Sequence, residues 1–186
     1  MSDEQLMERI VAGNIEALGI LFERHKQSLF AFLCRFMHDQ TLAEDVLAET
    51  FFRLYDRRRT YRQECKFTTW LYTIAHHLAI DQLKSARRQE QLMEQMLHDT
   101  PTTMDDQGQI ALERAEFSHL VRSAVHGLPV EQRAVIILRV YHDLSYREIA
   151  DIIGANEETV RVRAHRARQT LKQTLGAVIE EDPCGR

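Results

Sequence analysis

The segment that most constrains the fold runs from Leu144 to Leu175. Ser145, Tyr146, Arg147 and Glu148 have the spacing of a capping box: the serine hydroxyl accepts from a free backbone amide of the first turn and the glutamate reaches back to the serine amide. A helix therefore starts at Ser145. Ile149, Ala150, Ile152 and Ile153 give it one apolar side, and Gly154 can take the left-handed conformation that ends it. Asn156 is placed to cap a second helix, and Glu157 and Glu158 suit the positive end of its dipole. Val160, Ala164, Ala167 and Leu171 recur at helical spacing and form a narrow apolar keel. Arg161, His165, Arg168 and Lys172 flank that keel, while Val162, Arg166 and Gln169 point away from it. Two short helices with a basic outer face on the second are the geometry of a helix-turn-helix whose second helix enters a DNA major groove.

A solvated helix face is the plain alternative, because arginine is common on exposed helices. Between Thr159 and Ile179, however, no acidic residue is available to pair with Arg161, Arg163, Arg166, Arg168 or Lys172, so the positive charge is expected to stand uncompensated. The net charge of −4 does not contradict this, because the charge is unevenly distributed along the chain. Arg53, Arg57, Arg58, Arg59 and Arg62 face Asp56 alone, and Lys84, Arg87 and Arg88 form a second basic patch. Between Gln89 and Glu116 the balance reverses, with Glu90, Glu94, Asp99, Asp105, Asp106, Glu113 and Glu116 against Arg114. That stretch, with Thr100, Pro101, Thr102, Thr103 and Gly108, reads as an acidic interdomain linker.

With only 7 Gly and 3 Pro in 186 residues and no alternating apolar runs, the chain is expected to be all-helical. Helices are predicted from about Glu4 to Ala12, Glu16 to His38, Thr41 to Arg57, and Phe67 or Thr68 to Arg88. Leu18, Leu21, Phe22, Leu29, Leu33 and Phe36 form the core stripe of the second, and Val46, Leu47, Phe51 and Leu54 pack against it from the third. Glu44, Asp45 and Glu49 form an acidic strip on the outside of the third helix, either merely solvated or offered to a basic partner. In the fourth, Leu71, Ile74, Ala75, Leu78 and Ala79 are apolar, and Thr73, His77, Asp81, Lys84 and Arg88 form a polar stripe. Trp70 and Tyr72 add aromatic surface near its start. Rings beside a basic helix suit single-stranded nucleic acid, whose bases stack while cations track phosphates; for Trp70 the competing reading is core packing.

His76, His77 and Asp81, and Cys34 with Cys65, invite a metal reading. No HExxH, CxxC pair, phosphate loop or nucleophile elbow completes a site, so the chain is expected to need no metal or cofactor and not to be an enzyme. Cys34, Cys65 and Cys184 lack a spacing that implies a disulfide framework or a shared redox role. No apolar run reaches membrane-spanning length and no export signal is visible, which gives the expectation of a cytoplasmic protein without membrane insertion.

The run Leu42, Ala43, Glu44, Asp45, Val46, Leu47, Ala48, Glu49, Thr50 and Phe51, followed by Phe67 to Ala75 and Leu78 to Asp81, resembles sigma region 2. Leu128, Pro129, Gln132, Arg133, the apolar run to Tyr141, Leu144 to Ala150, and Thr159 to Arg168 resemble region 4. Together they resemble an extracytoplasmic-function (ECF, group 4) sigma factor of the sigma-70 family. The resemblance implies a region 2 helical bundle over 1–89, a linker over 90–115 and a region 4 helix-turn-helix domain over 116–186. It implies a protein that binds core RNA polymerase and starts transcription of a stress- or signal-responsive regulon under an anti-sigma factor, which the linker and the grooves between the domains would contact.

By this resemblance Glu44, Asp45, Glu49 and Phe52 face the polymerase. Lys66, Trp70, Thr73, His76, His77, Asp81, Lys84 and Arg88 meet the minus-ten element, in duplex and unpaired form. Arg161, Val162, Arg163, His165, Arg166 and Arg168 meet the minus-thirty-five element. His77 stands where the family often has asparagine, and Ala48 where it often has glutamine. The competing function is an ordinary helix-turn-helix regulator acting without polymerase. It leaves the region 2 pattern unexplained, and a receiver domain would need βα alternation before Gln89.

Overall fold

The structure is a computed structural model and describes residues 1–62, 64–96 and 112–181, with side chains described through Arg88 and Gln89, at Gln91, and from His119 to Gly176. Among the described residues the regular structure is helical: α1 (Asp3–Val11), α2 (Ile15–Met37), α3 (Gln40–Asp56), a short 3-10 turn (Arg58–Thr60), α4 (Phe67–Met96), α5 (Leu112–His126), α6 (Val130–Tyr141), α7 (Tyr146–Ile153) and α8 (Glu157–Glu181).

Side chains at the entrances set these boundaries. Ser2 and Gln5 close a capping box on α1, and Asn14 and Asp39 accept from the amides of Ala17 and Leu42 to start α2 and α3. The first three helices thus lie within a residue or two of the expectation. The fourth does not stop near Arg88: α4 continues to Met96 and α5 begins at Leu112. Helix therefore enters both ends of the stretch expected as a linker, since Gln89 to Met96 contains neither Gly nor Pro to break it. The centre of that stretch, 97–111, lies outside the described residues.

Helices α1 to α4 form the first domain. Leu21, Leu29, Leu33 and Phe36 of α2 are buried against Val46, Phe51 and Leu54 of α3 and Leu71, Ala75 and Leu78 of α4. Asp3 ties α1 to α2 through Arg24 and through His25, whose Nε2 lies 2.8 Å from the carboxylate. Helices α5 to α8 form the second domain. Its own keel, Leu128, Ile136 and Ala167 with Leu171, joins α6 to α8.

The two domains are not separate in this structure. One contiguous apolar core includes Phe36 and Leu71 from the first and Ile137, Ile149 and Ile152 from the second, with α7 lying along α4 and α6 against α2. Arg133, 7% exposed, sits at the junction. Its guanidinium donates to the Phe36 carbonyl at 2.8 Å, near the end of α2, and to the carbonyls of His126 and Leu128, at 2.5 and 3.2 Å, at the end of α5. Carbonyls at helix ends lack intrahelical donors and carry the negative end of the dipole, so a guanidinium is a matched cap for both.

Replacing Arg133 with Met should keep the apolar contact of the side-chain stem and leave three carbonyls without that donor. At about 1.5–3 kcal/mol for a hydrogen bond to a charged group, the expected result is a loss of at least about 2 kcal/mol in urea unfolding and a visible loosening of the domain contact. An unchanged midpoint would refute this account.

Candidate nucleic-acid interface

The helix-turn-helix is built as its sequence requires. The Ser145 hydroxyl accepts from the Glu148 amide at 3.2 Å and the Glu148 carboxylate accepts from the Ser145 amide at 2.9 Å. Gly154 ends α7 at φ +66°, a backbone conformation in which an L side chain is strained, and the Asn156 side chain accepts from the Thr159 amide at 2.7 Å to start α8. Val160, Ala164 and Ala167 are fully buried, whereas Arg161, His165, Arg166 and Arg168 are exposed and Val162 is 44% exposed. The outer face of α8 is therefore open and basic.

Its charge is less naked than the sequence suggests. Arg161 pairs with Glu157, one turn earlier, and Arg163, whose side chain is 25% exposed, pairs with Glu131 of α6. These acids lie outside the window Thr159 to Ile179, Glu157 at the first turn of α8 and Glu131 on another helix, which is why inspection of that window alone finds no partners. Tyr146 is the organising residue that sequence reading missed. The guanidinium of Arg161 lies 5.0 Å from the centre of its ring and that of Arg139 5.3 Å, while Arg168 donates to its hydroxyl at 3.2 Å. An electron-rich ring holding cations by its face and by its hydroxyl pre-positions them, which lowers the ordering cost of a phosphate or base contact.

On α4 the expected minus-ten residues divide into two groups. His77, Asp81, Lys84 and Arg88 are exposed along one stripe; Lys66 is exposed just before the helix. Thr73 is half-buried and its hydroxyl donates back to the Thr69 carbonyl, and Trp70 is half-buried with its ring 5.1 Å from that of Tyr61. His76, by contrast, is 7% exposed, packed on Phe36 at 5.6 Å, and burial together with the neighbouring His77 pushes it down to about 4. Tyr72, expected as aromatic surface, is buried: its hydroxyl lies 2.8 Å from the Ser28 hydroxyl and 3.0 Å from Nδ1 of His142. The second domain supplies that histidine, and no pattern within α4 announces it.

The acidic strip of α3 lies where expected. Glu44 and Asp45 are exposed, Glu49 accepts from Arg53 at 2.7 Å, and Phe52 is 68% exposed. Asp45, Glu49 and Arg53 line one side of an open cleft of about 410 Å³, and Leu78, Asp81, Gln82 and Ser85 of α4 line the other. Polymerase and minus-ten candidates thus share one groove. Among the described residues no group of His, Cys, Asp and Glu is arranged to hold a metal ion, Cys34 and Cys65 are free thiols, and no helix is long and apolar enough to cross a membrane.

The closed arrangement treats the two candidate nucleic-acid faces differently. The α8 face is open, while α7 lies along α4 and Lys66 is held by Glu148 at 2.6 Å. The lysine expected at unpaired DNA is thus occupied by the capping-box glutamate of the other domain.

Residues 21–89 match the model of Sigma-70 region 2, and residues 118–171 match that of Sigma-70 region 4. RNA polymerase sigma factor CarQ of Myxococcus xanthus is 32% identical over 171 residues, covering 91% of this chain and 95% of its own. The chain belongs to the sigma-70 family. RNA polymerase sigma-H factor of Pseudomonas aeruginosa is 29% identical over 96% of each chain. The sigma factor RpoE from Bartonella quintana, solved in complex with the anti-sigma factor NepR, shares the fold with a TM-score of 0.67 at 23% identity, over 85% of this chain and 96% of that one. This sigma factor thus carries both regions in the order in which its residues suggested them, and it is of the ECF type.

Glu148 links the two faces and offers a direct check. Hydrogen bonds from Lys66 and then from Ser145 hold its carboxyl down to about 2. A depressed carboxylate contributes stability that is fully present above its ordinary value near 4.5 and is lost as pH falls towards 2. The Glu148 carboxyl followed by NMR should therefore titrate near pH 2, and Lys66→Met should raise its midpoint while leaving the Ser145 cap in place. A midpoint near 4.5 in the unsubstituted protein would refute the pairing.

Proposed function

We propose that the chain serves as the promoter-reading subunit of RNA polymerase, with the polymerase and minus-ten contacts side by side on the first domain and the minus-thirty-five contact on the second. The observation that carries this reading is the pairing, in one chain, of an open basic recognition helix with an acidic, phenylalanine-bearing strip on a different domain. Residues 1–89 form the unit that meets polymerase and the minus-ten element, 90–115 connect, and 116–186 form the unit that meets the minus-thirty-five element. Its role is non-catalytic and it works in the cytoplasm without cofactor or metal.

In the duplex-reading face, Arg166 projects from the exposed side of α8 and is placed to bond guanine, with Val162 and His165 beside it and Arg161 and Arg168 held on Tyr146. Arginine paired with the O6 and N7 of guanine discriminates by about 1–3 kcal/mol. Arg163 is tied to Glu131 and serves by fixing α8 on α6. In the minus-ten face, Lys66, His77, Lys84 and Arg88 supply charge to the phosphates of the unpaired strand, and Trp70, Thr73, His76 and Asp81 shape the site for an unstacked base. Unstacking costs a few kcal/mol that these contacts offset. Since His76 is buried and Lys66 is held by Glu148, the domains must separate before this face can act. Glu44, Asp45, Glu49 and Phe52 dock on a basic, partly apolar surface of the polymerase. An anti-sigma factor is the expected regulator of a signal-responsive regulon, as the fold's occurrence in the RpoE complex with NepR suggests.

Run-off transcription with purified core polymerase tests this directly. Discrete start sites are expected only when both components are present, Arg166→Ala should lower output from them roughly tenfold to a hundredfold, and Glu44→Lys with Glu49→Lys should weaken binding to core. Tight duplex binding by the protein alone, with no starts, would instead establish an ordinary helix-turn-helix regulator.

A further inference from the structure

The junction between the domains is unusually rich in imidazole. His142, at the end of α6, reaches into the first domain: Nδ1 lies 3.0 Å from the Tyr72 hydroxyl and 3.3 Å from the Ser28 hydroxyl, and its ring meets those of Phe32 and Tyr72 at 6.0 and 5.2 Å. Nε2 is buried without a hydrogen-bond partner among the described residues. A few residues from the Arg133 cap, His126 at the end of α5 lies against His38, the left-handed residue that ends α2, with ring centres 4.4 Å apart. Each domain thus touches the other through a histidine.

We infer that this junction is a proton-released latch, in which charging His142 and His126 separates the helix-turn-helix domain from α4 and uncovers the minus-ten face. The surroundings decide the direction. A charged His142 would carry two N–H donors, and Nε2 would point into the core with no acceptor, a cost that water removes once the domains part. From α2 it meets the Ser28 hydroxyl and the nearby charge of Arg35, itself stacked on Tyr141 at 4.3 Å; from α4 it meets the Tyr72 hydroxyl. His126 faces His38 from α2 and Arg133 from α6. The charges that act on these rings, Arg35 on the first and Arg133 with His38 on the second, are basic, and the acids next in sequence to His142 and His38, Asp143 and Asp39, form no ion pair with either ring among the described residues. Burial first, then Arg35, depresses His142; burial, then Arg133 and His38, depresses His126.

Histidines depressed by closure support the closed state fully above their ordinary value near 6.5 and withdraw that support as pH falls below it. The remaining cross-domain ion pair does not share this response, because Glu148 stays ionised to about pH 2 and Lys66 stays charged. A fall from pH 7.5 to 5.5 therefore acts through the histidine contacts alone, and the Lys66–Glu148 bridge, a solvent-exposed pair worth little by itself, gives way as the domains part. Below about 6.5, the closed-to-open ratio falls by up to about tenfold per pH unit for each histidine.

The geometry of the latch does not depend on the promoter-reading function; only its consequence does. Small-angle X-ray scattering of the full chain as a monomer, without polymerase or DNA, separates the two. The expected result is a reversible rise in radius of gyration between pH 7.5 and 5.5 with helicity by circular dichroism unchanged, and no such rise in the His126→Gln, His142→Gln double variant. An unchanged radius in the unsubstituted chain, or an equal rise in the double variant, overturns the latch. Should the double variant not be compact at pH 7.5, imidazole NMR of the unsubstituted chain decides: both rings must titrate below 6.5, and an ordinary or raised midpoint at either overturns it.

Discussion

The Arg133 guanidinium is the contact on which the arrangement of the chain depends. Three helices converge on it, and it caps the carbonyl ends of α2 and α5, one from each domain, while standing on α6. A cation buried to this degree needs acceptors, and here both terminal nitrogens find them in carbonyls that helix ends cannot satisfy for themselves, while Nε is buried without a partner among the described residues. The same side chain thus solves a problem inside the second domain and a problem at the end of a helix in the first. Docking the domains in any other register would leave Phe36 and Arg133 without each other.

Around that cap the interface is assembled from two kinds of contact with different demands on solvent. Phe32, Phe36, Leu71 and Tyr72 on one side, and Ile137, Ile149 and Ile152 on the other, contribute to a continuous apolar core and hold irrespective of charge. Ser28, Tyr72 and His142 form a small polar chain running from the buried Tyr72 out to the exposed Ser28, and Lys66 with Glu148 close the rim elsewhere. The apolar part supplies adhesion and the polar part supplies register, because the buried Tyr72 hydroxyl meets Nδ1 of His142 only in one alignment. An interface of this mixed type is suited to opening without unfolding either side.

What could be read from the sequence follows the range of the interactions. Caps, stripes and the turn at Gly154 are local, so α1 to α3, the helix-turn-helix and the exposed face of α8 are where periodicity and capping place them. The position of the acidic strip on α3 is likewise a matter of helical spacing. The burial of Tyr72 and His76 was not legible, because both lie on the apolar shoulder of α4 and their fate depends on whether a second domain covers it. The charge balance of α8 escaped for a related reason: Glu131 is distant in sequence from Arg163 and comes near only when α6 packs on α8. The end of α4 escaped because composition suggested a linker while the residues up to Met96 are good helix formers.

The unequal exposure of the two candidate nucleic-acid faces has a structural origin. The apolar keel of α8 is used up within its own domain, against α6 and α7, so its basic side has no apolar margin with which to dock elsewhere. Helix α7 differs. It is eight residues long, and its first turn presents Tyr146 and Glu148 while its apolar side is shared between α8 and α4. The docking surface of the second domain is therefore the support helix of the helix-turn-helix rather than its recognition helix. On the proposed reading, a chain closed in this way can still present Arg166 and His165 to a duplex while Lys66 and His76 are withheld from a single strand. On that reading duplex contact need not wait for opening of the domains, whereas capture of an unpaired base must follow it.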